Sequence, residues 1–292
     1  MRALITGGAN GQLRHELLQC LPLDCTLVGC PADEARLDVS DADAVTRVVA
    51  EHAPDVILNA AAYTAVDKAE SEPARAYAVN AAGVSNLADA ALACGAHLVH
   101  VSTDFVFGGA GSIDRLPFGT TSTTAPLGVY GESKLAGESL LAMRLPGQGC
   151  TIRTSWLYSV HGGNFVKTML RLMNERDEIG VVADQIGSPT WARSLARAVW
   201  RAAERRLNGV LHWSDAGEAS WYDLAVATLE EGRVLGLVTA DPRVQPISSA
   251  DYPTPAARPA YSVLDTASSR ERLGMEAAPW RNNLRCMLGE LV

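Results

Sequence analysis

The sequence predicts an α/β fold built on a doubly wound parallel sheet, with a smaller, discontinuous α/β domain beside it, and three observations carry this expectation. Short, continuous apolar runs such as Asp55-Val-Ile-Leu-Asn59 alternate with helix-length segments, the pattern of strands buried on both faces. A glycine-rich turn, Gly8 to Gly11, joins the first run to the first helix. The length of 292 residues, 48% apolar and 20% charged, is enough for a large core in one big domain or two unequal ones.

The first strand is Arg2-Ala-Leu-Ile-Thr6, and the turn Gly7-Gly-Ala-Asn-Gly-Gln-Leu-Arg14 leads into a helix over His15–Leu21. Such a turn lets the amides at a helix N-terminus approach a diphosphate. A third glycine of the usual spacing would fall at position 14, where Arg14 must either point away from the sheet or loosen the helix-to-strand contact. Cys25–Gly29 predicts a second strand. Ser40 or Asp41 caps a helix to about His52, Asp55–Asn59 is a third strand, a helix runs from about Pro73 to Cys94, and Ala96–Val101 is a fourth strand. Gly8, Asn59-Ala60-Ala61 and Ser102-Thr103 then fall at the strand ends, where doubly wound sheets bind ligands. After the second strand no acidic residue takes an obvious ribose-clamping position. Cys30-Pro31 occupies the turn, Asp33 and Arg36 are ambiguous, and Asp38 before Val39 reads as an adenine-side or loop-capping residue.

Residues 105–128, rich in Gly, Ser and Thr, read as a long loop of the kind that often carries function. A strand follows at Thr151–Thr154, then a loop with Trp156, Tyr158 and Asn164, a helix over Phe165–Glu175 and a short strand from Val181. Asp184–Thr190 is turn-rich, Trp191–Leu207 helical, Val210–His212 a strand and Ser220–Glu230 a helix. A proline-rich loop over 241–261 precedes two closing helices, Thr266–Leu273 and Arg281–Leu291.

Tyr130 and Lys134 are the candidate chemistry. Four residues apart at the start of a helix, they share a face, and a lysine charge beside a phenol favours the phenolate. Such a pair is a tuned acid or base. The formal net charge of −8 argues against a nucleic-acid surface or an anionic membrane as partner. The six cysteines contain no C-x-x-C pair and fit reduced thiols in a cytoplasm; Cys20, Cys25 and Cys30 straddle a helix end and a strand, which speaks against a metal site. No apolar run reaches membrane-spanning length, and the chain enters its first strand at once, so no targeting segment is expected.

Taken in order, several motifs resemble the extended short-chain dehydrogenases, and closely the dTDP-4-dehydrorhamnose reductases. They are Gly8-Ala-Asn-Gly-Gln-Leu13, Pro54 to Glu72, Ala78-Val-Asn80, Val101-Ser-Thr-Asp-Phe-Val-Phe107, Tyr130 to Glu138, Arg153-Thr-Ser-Trp156, Gly163-Asn-Phe-Val166, Asp184 to Thr190 and Tyr252-Pro-Thr-Pro-Ala256. The resemblance implies a Rossmann-like domain over 1–160 and 188–225 and a substrate-binding domain over 161–187 and 226–292. It implies reduction of a sugar C4 ketone by NADPH, with NADH as the alternative, and assigns Thr103, Tyr130 and Lys134 to catalysis. Cofactor contacts would come from Gly8, Asn10, Gly11, Gln12, Leu13, Asp38, Val39, Ala60, Ala61, Ala62, Asn80, Tyr130 and Lys134. Substrate contacts would come from Thr103, Asp104, Phe105, Trp156 and Gln185, while Arg258 is weighed as a diphosphate contact against plain surface placement. Phe105 stands where the family has tyrosine and related 4,6-dehydratases have glutamate, which argues against dehydration. The family's dimers share a magnesium site of glutamates. Glu16 and Glu290 match it, but Arg193 replaces the third, so no such metal dimer is expected; the chain is a monomer or weak homodimer, with magnesium otherwise undecided. The competing readings are a non-catalytic NADP-binding subunit, like the regulatory subunit of methionine adenosyltransferase, and a reductase or epimerase for another nucleotide sugar.

Overall fold

β1 (Arg2–Thr6) runs up through the core into the glycine turn, α1 (Gln12–Gln19) follows, and β2 (Thr26–Gly29) returns beside β1. The computed structural model describes residues 1–29, 37–109 and 116–292; Cys30, Pro31, Asp33, Arg36 and positions 110–115 of the expected loop lie outside the described residues. α2 (Ala42–His52) begins where the Asp41 carboxylate accepts from the Ala44 amide at 3.0 Å, and it leads to β3 (Val56–Asn59). Two short helices, α3 (Val66–Ala69) and α4 (Pro73–Tyr77), a π turn (Ala78–Ala82) and α5 (Gly83–Cys94) precede β4 (His97–Thr103). After the long connection come α6 (Val129–Arg144), β5 (Gly149–Thr154), β6 (Leu157–Tyr158), α7 (Phe165–Glu175), β7 (Glu178–Val182), β8 (Ile186–Gly187), β9 (Thr190–Trp191) and α8 (Ala192–Glu204). β10 (Gly209–His212), β11 (Ala219–Ser220), α9 (Trp221–Val234), β12 (Arg243–Ile247), α10 (Ala267–Leu273) and α11 (Trp280–Gly289) complete the order.

The central sheet has the order β10-β5-β4-β3-β1-β2, with every pairing parallel. Successive strand residues alternate between its faces: Ile5, Leu58 and Val99 pack with Leu17, Leu195 and Trp200 of α1 and α8, whereas Leu4, Ile57 and Leu98 pack with Val45, Leu87 and Leu141 of α2, α5 and α6. The chain winds outward in both directions from β1, so the crevice between the ends of β1 and β3 is the topological switch point. A separate apolar cluster, including Val166, Met173, Leu224 and Met287, gathers α7, α9 and α11 into a second lobe.

Three expectations need correction. The helix over Pro73–Cys94 is interrupted by the π turn, which sets Asn80 so that its Oδ1 accepts from the Tyr63 amide at 2.8 Å and its Nδ2 donates to Ser133 Oγ at 3.0 Å. The proline-rich loop contains β12, which pairs in parallel with β7 through Pro246; in a two-stranded sheet a proline costs no interior ladder bond. The loop after Thr154 holds β6, paired with β9.

Helix α6 has an unusual buried face of Gly131, Ser133, Lys134, Gly137 and Glu138. A Cβ at position 137 would lie 2.1 Å from the Asn80 carbonyl oxygen, and one at position 131 would lie 2.3 Å from the Phe105 carbonyl oxygen. Glycine is what allows this helix to sit so close to the π turn and to the end of β4. Replacing Gly137 with alanine is expected to cost about 1–3 kcal/mol through overpacking, read as a lower urea midpoint at unchanged slope.

Candidate active site

The glycine turn opens beneath the switch point. The Gly11 amide donates to the Gly8 carbonyl at 2.9 Å, and a Cβ on Gly8 would meet nothing within 4 Å, so the turn's outer side is free for a ligand. Gly7, at φ +125°, passes the Ala60 backbone so closely that a Cβ would sit 3.3 Å from it. Leu13 is buried in the core, Asn10 is exposed, and Gln12 accepts from Asn164 Nδ2 at 3.0 Å. Ala60, Ala61 and Ala62 follow β3 directly on the facing side of the crevice. This is a cradle that fits a dinucleotide diphosphate. Arg14 does not turn to solvent: it is 5% exposed, and its Nε has no hydrogen-bond partner among the described residues.

Asp38 takes the loop-capping role. Its carboxylate accepts from the Ser40 amide at 2.9 Å and the Ser40 hydroxyl at 2.7 Å, and these bonds hold its carboxyl below the usual range. Val39 is buried, and its carbonyl accepts from Asn86 Nδ2 at 2.9 Å.

At the end of β4 the Thr103 side chain accepts from the Phe105 amide at 3.2 Å, and its hydroxyl lies 3.1 Å from Asp104 Oδ1. The Thr103 side chain also acts on the Tyr130 phenol and pulls it down. Burial pushes that phenol up to about 12, against the pull of Thr103, and the nearby Asp104 charge adds to the push. Asp104 is itself raised to about 6 by burial. The Phe105 ring meets the Tyr130 ring edge-on at 5.5 Å between centroids. Lys134 is pushed down to about 8 by burial, with the Glu138 charge opposing. Its Nζ donates to the Val101 carbonyl at 2.6 Å. The expectation that Lys134 lowers the phenol therefore differs from what the geometry gives. The ammonium is held against the strand, and desolvation governs the tyrosine.

Trp156 and Gln185 meet each other's neighbours rather than Thr103. The Trp156 ring stacks on Trp221 at 3.6 Å between centroids, Trp221 Nε1 donates to Gln185 Oε1 at 3.2 Å, and Gln185 Nε2 donates to Ser249 Oγ at 2.9 Å. Gln185 also lines a cleft of 290 Å³ together with Tyr252, Thr254 and Arg258. Arg258 is not a free surface cation: it forms a bidentate pair with Asp67 at 3.0 and 2.9 Å. Sequence reading missed Trp221, Ser249 and Asp67, since each acts through a partner distant in the chain.

Arg193 settles between the two glutamates singled out earlier. Its Nε donates to Glu16 Oε2 at 2.7 Å, its Nη2 donates to Glu290 Oε2 at 2.9 Å, and it also reaches Gln19. Ser159 Oγ donates to the other Glu16 oxygen at 2.6 Å. The guanidinium thus supplies the positive charge that two facing carboxylates require.

With this geometry in place, the comparisons with known proteins converge. A family model described as RmlD substrate binding domain matches residues 1–292. A protein of Burkholderia thailandensis named dTDP-4-dehydrorhamnose reductase is 42% identical over 292 residues, covering 96% of each chain. One of the same name from Escherichia coli strain K12 is 40% identical over 291 residues, covering 97% of this chain and 96% of its own. Among solved structures, a dTDP-4-dehydrorhamnose reductase of Clostridium acetobutylicum superposes with a TM-score of 0.90 at 37% identity, covering 100% and 99% of the two chains. One from Bacillus anthracis str. Ames, in complex with NADP, gives 0.89 at 37% identity, covering 99% of both.

Replacing Arg193 with methionine leaves the fully buried Glu16 carboxylate without its cation. Stability is expected to fall by about 3–5 kcal/mol in urea denaturation. Adding Glu16→Gln to the same chain recovers part of the loss, because the pair is coupled.

Proposed function

Since the chain belongs to the RmlD substrate-binding-domain family, whose curated relatives are dTDP-4-dehydrorhamnose reductases, we infer that it is an NAD(P)-dependent oxidoreductase reducing the C4 ketone of dTDP-4-dehydro-L-rhamnose to dTDP-L-rhamnose. The observation that carries this reading is the gathering of Thr103, Tyr130 and Lys134 at the same sheet edge as the glycine turn. When bound, the reduced nicotinamide supplies the hydride. The chain supplies the proton and the charge stabilisation: Tyr130, whose phenol keeps its proton at neutral pH, gives it to the ketone oxygen as negative charge gathers there. Thr103 steadies the phenol and the sugar oxygen, and the charged Lys134 would hold the nicotinamide ribose. Asp104, Phe105, Trp156 and Gln185 are assigned to the sugar and its nucleotide.

NADPH is taken as the cofactor, with NADH as the alternative, because the Bacillus anthracis relative is described in complex with NADP. A substrate domain over 161–187 and 226–292 draws support from Val166, Met173 and Met287 of the second apolar cluster, although Tyr158, Trp191, Leu224 and Ala225 of the same cluster lie outside those bounds and Leu273 inside them packs on the central sheet. The absence of a magnesium-linked dimer is argued from Arg193, whose guanidinium already balances Glu16 and Glu290. A cytoplasmic site is argued from the unpaired cysteines 20, 25, 94, 150 and 286, and no helix among the described residues is long and apolar enough to cross a membrane. A purely regulatory subunit would have no need of Thr103, Tyr130 and Lys134 together.

Mixing the protein with NADPH and dTDP-4-dehydro-L-rhamnose is expected to deplete NADPH absorbance. Tyr130→Phe should lower kcat by about 100- to 10,000-fold with cofactor affinity kept. No oxidation by the wild type overturns the reductase, and equal rates overturn Tyr130 as the acid. An epimerase would instead keep its cofactor through purification. The sign of the pH dependence follows from Lys134: charged below its midpoint, it loses its charged hold on the cofactor as pH rises, so kcat/KM should fall on the alkaline side through about 8.

A further inference from the structure

Behind Lys134 runs a buried chain of polar groups. His100 on β4 is fully buried, with Nε2 3.4 Å from Lys134 Nζ and Nδ1 3.0 Å from Asn59 Nδ2. Asn59, at the end of β3, is buried too, and its Oδ1 accepts from the Ala61 amide at 3.1 Å and from the Thr6 hydroxyl at 2.7 Å. A backbone amide can only donate, so Ala61 determines which end of the Asn59 side chain is oxygen, and the other end donates to His100. Nδ1 of His100 is therefore an acceptor. An imidazolium would set one N–H against another at that contact, so the ring is neutral and its proton lies on Nε2, aimed at Lys134. Burial and the Lys134 charge likewise hold this histidine well below its usual range.

An Nε2–H finds a lone pair on a neutral amine but only another donor on an ammonium. The 3.4 Å separation is correspondingly long for a hydrogen bond, while the same Nζ sits 2.6 Å from the Val101 carbonyl. We propose that His100 is a positioning residue for Lys134: its tautomer, locked through Asn59 by the Ala61 amide, supplies a donor that favours the neutral amine and loosens the lysine's hold on its proton. The other titratable neighbours do not duplicate this. Glu138, one turn along α6, favours the charged lysine and is itself clamped by Arg153 of β5 at 2.6 Å; Tyr130 lies one turn before. Because Asn59 and Ala61 border the glycine turn across the crevice, the lock joins the cofactor side of the sheet to the lysine's charge. Its effect on rate rests on the reductase reading; its effect on proton affinity does not.

The chain has three lysines, Lys68, Lys134 and Lys167, so isotope-labelled lysine side chains can be titrated individually by NMR. Lys134 is expected to have the lowest midpoint. His100→Asn keeps an acceptor for Asn59 but offers Lys134 no donor, and should raise that midpoint by about one pH unit. His100→Gln, whose amide extends a donor toward Lys134, should leave it near the wild-type value. An unmoved midpoint in His100→Asn overturns the proposal. If that variant does not fold, the ring-nitrogen shifts of wild-type His100 decide: a proton on Nδ1, or ring titration near neutral pH, overturns it. With NADPH and the dTDP-sugar ketone, the alkaline limb of kcat/KM should move with the NMR midpoint, and a fixed limb overturns the role in the reaction. Absence of any NADPH oxidation by the wild type rejects the reductase reading alone, since the titration still judges His100.

Discussion

Lys134, 1% exposed, donates to the Val101 carbonyl across 2.6 Å, and placing a helix lysine so deep at a sheet edge constrains everything around it. A charge withdrawn from water costs several kcal/mol unless hydrogen bonds and partners replace its solvent. To deliver the nitrogen to that carbonyl, α6 must lie close to the sheet, which is why glycines at 131 and 137 face the Phe105 and Asn80 carbonyls. Asn80 in turn holds Ser133 and the Tyr63 backbone, which ties the π turn to the same helix. One turn beyond the lysine, Glu138 accepts three bonds from Arg153, so a second buried charge on this face has a counterion. Helix, turn and strands thus fix one another's positions around the lysine.

The second lobe is joined to this frame by aromatic stacking and by charge. Trp156 has φ +46°, a conformation that costs a bulky side chain about 1–3 kcal/mol. Its ring is held on Trp221, and a Cβ on Gly187 would lie 2.5 Å from it, so glycine at 187 is required by the stack. On the opposite side, Arg193 links α1, which follows the glycine turn, to the end of α11. The lobes therefore meet through Trp156 near the proposed sugar site and through Arg193 near the proposed cofactor site.

What could be read from the sequence follows from how local each feature is. The apolar runs at Ile5, Ile57 and Leu98 marked the parallel sheet because strands buried on both faces leave that pattern in the chain itself. The Asp41 cap and the helix Phe165–Glu175 were legible for the same reason. The π turn was not: Ala78–Ala82 has ordinary helical composition, and only the contacts of Asn80 with Tyr63 and Ser133 favour the wider turn. At the site, Thr103, Tyr130 and Lys134 were recognisable as residue types at a strand end and a helix start. The Arg258–Asp67 pair and the Trp156–Trp221 stack were not, since their partners lie 191 and 65 positions away.

The electrostatics of the pair come from one cause acting with two signs. Burial disfavours whichever form carries charge, so it raises a phenol, which is charged after losing its proton, and lowers an amine, which is charged before. Tyr130 is pushed up to about 12 and Lys134 down to about 8 by the same packing of α6 against β4. Between those values the phenol keeps its proton, and below the lower one the lysine keeps its own. At neutral pH the site therefore holds a proton to give on Tyr130 and a positive charge on Lys134. That is the starting state for protonating a ketone oxygen. Running the chemistry the other way, with the tyrosine as base, would first require ionising a phenol that its surroundings keep neutral.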